Sequence, residues 1–114
     1  MTKVALIGAA GSMGTRAWNS LKDDPDYELL PVESSAGEEV LKERGINPVA
    51  QDDAVGQADV VLMTVPDMLV GKIATGVVPK MASGAMLICL DPAAPYAGEL
   101  PEREDVTYFV THPA

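Results

Sequence analysis

Val4-Ala5-Leu6-Ile7-Gly8-Ala9-Ala10-Gly11-Ser12-Met13-Gly14 is the stretch whose reading decides the fold. A short, uncharged apolar run breaks into glycines recurring at every third position, and a helical pattern follows. The order strand, glycine turn, helix opens a dinucleotide-binding βαβ unit. Each glycine has a physical task. Gly8 lets the chain leave the strand in a tight turn, Gly11 lets the backbone approach a pyrophosphate with no Cβ in the way, and Gly14 lets the helix lie close on the strand. The helix N-terminus adds unpaired N–H groups and a positive dipole end. The backbone from Gly8 through Ala10, Gly11, Ser12 and Met13 to Gly14 is therefore the expected phosphate cradle. The spacing is GxxGxxG, one residue longer than the commoner GxGxxG. The bland alternative is a glycine-rich turn with no ligand, and the apolar strand in front of the turn argues against it.

Outward from the loop, Lys3 to Ile7 reads as a buried parallel strand, apolar throughout rather than alternating. The helix after Gly11 places Met13, Ala17 and Leu21 on one stripe, with Trp18 bordering it as a packing residue. Arg16, in the first turn, is either a phosphate contact or a solvated surface side chain. Asp23-Asp24-Pro25-Asp26 stops the helix, and Tyr27 to Val32 forms the second strand, with Pro31 marking an edge-like end. Glu33 then falls about 20 residues beyond Gly14, the separation expected for the acid that accepts from the adenosine ribose hydroxyls. A carboxylate there repels a 2′-phosphate, and no arginine follows in Ser34-Ser35-Ala36-Gly37. NAD is thus favoured over NADP, although the two serines leave a phosphate-holding alternative open.

Glu38 to Arg44 reads as a short polar helix closed by Gly45, Ile46 to Val49 as a short third strand, and Asp52 to Val55 as one helical turn. In Ala58-Asp59-Val60-Val61-Leu62-Met63-Thr64-Val65-Pro66-Asp67 an apolar strand ends in Thr64 and a proline turn starts a helix. Thr64, Val65 and Pro66 are placed at the carboxyl edge of the sheet, where open α/β folds bind ligands, and join the expected cofactor-binding set. The next helix carries Leu69, Ile73 and Val77 on one face and Val70, Ala74 and Val78 beside it, up to Pro79. Ala85 to Leu90 and Val106 to Val110 supply the last strands, separated by a small, proline-flanked loop from Ala93 to Leu100. Strands alternating with helices, joined by right-handed crossovers, give an α/β, doubly wound, mostly parallel sheet with helices on both faces.

Composition sets the outer limits. The 114 residues suffice for one domain with a real core, and 47% hydrophobic with 22% charged residues is a globular composition. The net charge of −9 repels nucleic acid and anionic lipid, and no Lys/Arg cluster overrides it. A phosphate-bearing ligand must then be held by backbone N–H groups, with one arginine as the further candidate contact. The single Cys89 excludes an internal disulfide and a multi-cysteine metal site, and no metal is expected. With no apolar run of membrane-spanning length and a strand at the start instead of a signal peptide, a reducing cytoplasm fits best.

Together, the GAAGSMG loop, Glu33 after the second strand and the TVPD segment resemble the NAD-binding, Rossmann-type domain of the 6-phosphogluconate and β-hydroxyacid dehydrogenase-like superfamily. Prephenate dehydrogenase, ketol-acid reductoisomerase, pyrroline-5-carboxylate reductase and D-apionate oxidoisomerase are among its relatives. The resemblance covers essentially the whole chain, and the closing Thr111-His112-Pro113 is similar to the His-Pro segment of prephenate dehydrogenases. The loop spelling is also similar to that of dihydrodipicolinate reductase, with Ser12 where that family has arginine, but TVPD does not fit that family. The resemblance implies residues 1–114 as a cofactor-binding domain, with a helical substrate domain beyond Ala114 that completes the pocket and a homodimer. It also implies NAD-dependent oxidation at a CH–OH carbon of a small hydroxy acid or sugar acid. A non-catalytic NAD(H)-sensing module is the reading from another class.

Hydride transfer needs a group that takes the hydroxyl proton. His112 is the sole histidine, just past the last strand, and an unperturbed pKa near 6.5 suits proton transfer. Its alternative is a hydrogen-bonding residue at a domain junction. Asp67 is read as the cap of its helix, and Asp91 as the cap of the turn before Pro92, with a ribose hydroxyl as its alternative partner.

Overall fold

The computed structural model describes residues 2–64, 73, 76–89 and 105–110, with the side chains of residue 89 and residues 108–110 left aside. Five strands form one sheet: β1 (Thr2–Ile7), β2 (Tyr27–Val32), β3 (Val60–Met63), β4 (Met86–Cys89) and β5 (Thr107–Val110). Their order is β2-β1-β3-β4-β5, and every neighbouring pair is parallel. Three helices are described: α1 (Ser12–Leu21), α2 (Ser35–Glu43) and α3 (Gln51–Gln57), with a short 3₁₀ turn at Val78–Lys80. The chain runs outward from β1 to β2, then returns across β1 to β3. The strand order therefore reverses between β1 and β3, and that switch point opens a crevice outside their carboxyl ends.

β1 lies between two neighbours and is covered on both faces. Its residues Val4 to Ile7 are all buried, which is why its sequence is apolar without alternation. Ala5 and Ile7 join Leu30, Val32, Val61, Met63 and Leu87 in a core closed by Ala54 and Val55 of α3 and by Val77 and Val78. Leu6 points to the other face, with Ala9 and Leu41, against Ala17 and Trp18 of α1. Each fully buried Leu, Val or Met side chain contributes about 1.5–3 kcal/mol. Trp18 is thus a packing residue, as its place beside the helical stripe suggests. Ile73 also packs on the α3 face, and no helix of the described residues is long and apolar enough to cross a membrane.

Three local expectations are corrected. Ile46 to Val49 is not a strand: Val49 N–H donates once to the Pro31 carbonyl (2.7 Å), and Pro48, with no N–H, cannot extend a ladder. β2 thus ends the sheet, and Pro31 sits on that edge with its carbonyl turned outward to Val49. The TVPD segment consequently follows the third strand, not the fourth. The polar helix starts at Ser35, three residues before Glu38, because Ser34 caps it. The Asp52–Val55 turn is part of the longer α3. Strand ends also shift slightly, with Thr64 just past β3 and Val106 just before β5.

Candidate active site: the glycine turn and its surroundings

The loop after β1 is held from both sides. Gly8 has φ 88°, the left-handed region a glycine enters without strain, and its N–H donates to the Val32 carbonyl (3.0 Å). The Ala9 N–H shares the same acceptor (3.2 Å). From the β3 side, the Thr64 N–H donates to the Ile7 carbonyl (2.9 Å), and the buried Thr64 hydroxyl donates to that oxygen (2.6 Å), with the Gly8 carbonyl 3.2 Å away. Thr64 thus pins the carboxyl end of β1 to that of β3. A Gly11 N–H to Gly8 carbonyl bond (3.0 Å) closes the turn.

Gly14 is required by space. A Cβ built there would lie 2.7 Å from Ala9 Cα and closer still to the Gly8 carbonyl oxygen, so any side chain would drive α1 off the loop. Gly11 is different. Its φ of −73° and ψ of 175° suit any residue, and a Cβ would approach only the Gly8 carbonyl, at 3.4 Å. Nothing among the described residues demands glycine at position 11, which leaves room above the loop as its physical meaning.

The start of α1 is chemically open. Gly11, its N-cap residue, has no side chain, no acidic residue lies in the first turn, and the N–H groups of Ser12, Met13 and Gly14 have no acceptor among the described residues. Three aligned donors at the positive end of a helix dipole form an anion site. In a chain of net charge −9, these backbone donors offer an anion a positive end that no side-chain charge supplies. Glu33, at the end of β2, is the acid beside the loop. Its Oε2 accepts from the Ala10 N–H (2.9 Å) and its Oε1 from the Ser34 N–H (3.0 Å). The residues fit a pyrophosphate at the α1 start with a hydroxyl-bearing sugar at Glu33.

Residues 1–111 match the family described as acetohydroxy acid isomeroreductase, NADPH-binding domain. The chain belongs to this family. D-apionate oxidoisomerase from Cupriavidus necator is 48% identical over 114 residues, and that from Rhizobium rhizogenes 46% over 115. These alignments cover 97% and 99% of the chain but 41% and 42% of the relatives, so the chain spans about two-fifths of their length. Among solved structures, a semialdehyde dehydrogenase NAD-binding protein from Cupriavidus necator, in complex with calcium and NAD, superposes with a TM-score of 0.86. It is 47% identical, and the match covers all of this chain and 42% of that one. The family is an NAD(P)-binding domain of oxidoreductase type, in agreement with the glycine turn.

Within this family domain, the structure brings Gly8, Ala10, Gly11, Ser12, Met13, Gly14, Glu33 and Thr64 together at the carboxyl ends of β1, β2 and β3. Val65, Pro66 and Asp67 lie outside the described residues, as do Asp91, the loop from Ala93 to Leu100, and His112. Arg16 is exposed on α1 and has no partner among the described residues. Ser34, weighed as a phosphate holder, caps α2 by accepting from the Gly37 N–H (3.4 Å) at its hydroxyl oxygen, which leaves its O–H donor uncommitted. The positioning role of Thr64 and the inward bonds of Glu33 were missed from sequence. Serine three residues ahead of Gly37 is an N-cap signal that was there to be read.

Proposed function

We propose that the chain forms the NAD-binding part of an oxidoreductase or oxidoisomerase that acts on a CH–OH carbon of a small hydroxy acid or sugar acid. The observation carrying this reading is the open start of α1 beside a carboxylate at the end of β2. Ser12, Met13 and Gly14 N–H groups would hold the pyrophosphate, and Glu33 would accept from the ribose hydroxyls. The bound dinucleotide supplies the hydride-carrying ring. The protein's task is to hold and orient it and to place a proton acceptor near the reacting carbon. NAD bound to a 47% identical structure, and D-apionate oxidoisomerases at 46–48% identity, support the cofactor and the substrate class.

Although the family description names NADPH, Glu33 argues for NAD in this chain. A 2′-phosphate there meets a like charge and forfeits a ribose hydrogen bond, an effect of roughly 1–3 kcal/mol. Calorimetric titration of the chain with NAD and NADP is expected to show NAD binding about 5- to 150-fold more tightly. Equal or tighter NADP binding overturns the assignment. For turnover, His112 is proposed as the proton-transfer or substrate-binding group, because it follows the carboxyl end of β5 by two residues. The rest of the substrate pocket and a dimer interface are assigned to polypeptide outside these 114 residues. In such a full-length protein assayed with sugar acids such as D-apionate, His112→Asn is expected to lower turnover by roughly 10²–10⁴ with cofactor affinity kept. Turnover within a few-fold of wild type would make His112 structural.

A further inference from the structure

Gly37 stands at the third position of α2, in a helix where alanine is the better residue and nothing in the backbone calls for glycine. Its surroundings supply the reason. A Cβ built on Gly37 would fall 2.5 Å from Glu33 Oε1, 2.7 Å from Glu33 Cγ, and against Cδ between them. The missing side chain is therefore the space in which the Glu33 carboxylate lies, folded back over the start of α2 to accept from the Ala10 and Ser34 N–H groups. Each carboxylate oxygen accepts more than one hydrogen bond, so both keep capacity for sugar hydroxyls.

We propose that Gly37 is the positioning residue for cofactor selectivity: by lacking a Cβ it holds the Glu33 carboxylate at the glycine loop, where it selects the free ribose hydroxyl over a 2′-phosphate. The proposal rests on the reading of Glu33 as the ribose acceptor. The three nearest atoms that an added methyl would meet are Cγ, Cδ and Oε1 of one flexible side chain, Glu33. An alanine is thus accommodated by swinging the carboxylate aside, which breaks its bonds to Ala10 and Ser34 and leaves the helix intact. Helix propensity even favours the substitution. Gly37→Ala should consequently cost no more stability than removing the carboxylate itself, whereas at a glycine needed only by packing it costs more and leaves the selectivity unchanged.

The test compares Gly37→Ala, Glu33→Ala and the double variant by thermal melting and by titration with NAD and NADP. In Gly37→Ala the melting temperature is expected to fall no further than in Glu33→Ala, since both lose the same carboxylate bonds, while the NAD-to-NADP affinity ratio falls about tenfold, the worth of one charge-assisted hydrogen bond. Glu33→Ala should lower the ratio similarly, and adding Gly37→Ala to it should change nothing further, because the two act through one carboxylate. A ratio lowered by Glu33→Ala but not by Gly37→Ala overturns the role of Gly37 and leaves the ribose reading standing. A ratio unmoved by either overturns both. A Gly37→Ala protein that melts well below Glu33→Ala shows that backbone resists the methyl, and also overturns the proposal.

Discussion

Two helices begin side by side at the same edge of the sheet, with nearly the same backbone at their N-cap residues. Gly11, before α1, has φ −73° and ψ 175°, and Ser34, before α2, has φ −70° and ψ 170°. The chain closes the second helix itself: the Ser34 hydroxyl accepts from the Gly37 N–H, and Glu38 puts a negative charge in the first turn. It leaves the first helix open, with no capping side chain, no acid in the first turn and three N–H donors without acceptors among the described residues. Identical geometry thus serves two ends. A capped start stabilises the helix, typically by about 1 kcal/mol, and an uncapped one gives up that stability for an anion. What separates the open helix start from the capped one here is the side chain at one position, not the shape of the backbone.

The comparison can be broken most severely at Gly14, where α1 meets its own loop. Gly14→Ala should cost about 3 kcal/mol or more, since the methyl meets backbone that cannot yield, and should abolish dinucleotide binding as well. Denaturant unfolding of the variant checks this, and near-normal stability would show that the helix can back away. Gly11→Val separates fold from function. Its backbone angles suit valine, so stability should hold while NAD affinity drops at least about a hundredfold, the equivalent of a clash near 3 kcal/mol. Calorimetry on a variant with an unchanged melting curve decides it, and retained affinity removes the pyrophosphate from this loop.

Ser12→Asp makes α1 resemble α2 by placing an acid in its first turn. A carboxylate about 4 Å from a phosphate costs roughly 1–4 kcal/mol, so NAD affinity should fall by about tenfold or more. The same charge complements the helix dipole and should raise stability by about 0.3–1 kcal/mol. Opposite movements of binding and melting temperature are the expected signature. The smallest effect is expected on the capped side. Ser34→Ala removes a cap whose hydrogen bond is long, at 3.4 Å, and should cost about 0.5–1 kcal/mol in urea unfolding with NAD affinity nearly kept. A large loss of affinity would instead mean that Ser34 touches the nucleotide.

Much of the site was legible because its elements are local. Gly8, Gly11 and Gly14 follow their strand directly, so their tasks are set by near neighbours in the chain. The parallel sheet followed from strands alternating with helices. Ile46 to Val49 shows the limit: apolar composition favoured a strand, yet pairing needs a partner edge and N–H groups, and Pro48 removed one. Boundaries of α2 and α3 slipped because capping and packing, not propensity, ended them.

By itself the sequence determined a dinucleotide-type glycine turn, an α/β sheet and an acid at the end of the second strand. Backbone conformation near a glycine and the burial of an unbroken apolar run depend on residues close in the chain. Tertiary structure decided which groups those residues answer to. Thr64 reaches back 57 positions to the Ile7 carbonyl, Glu33 reaches back 23 to the Ala10 N–H, and Gly37 leaves room for the Glu33 carboxylate. Those contacts exist because β1 lies between β2 and β3, which brings the ends of three strands within hydrogen-bond distance of one loop. Spacing along the chain carries no record of that meeting.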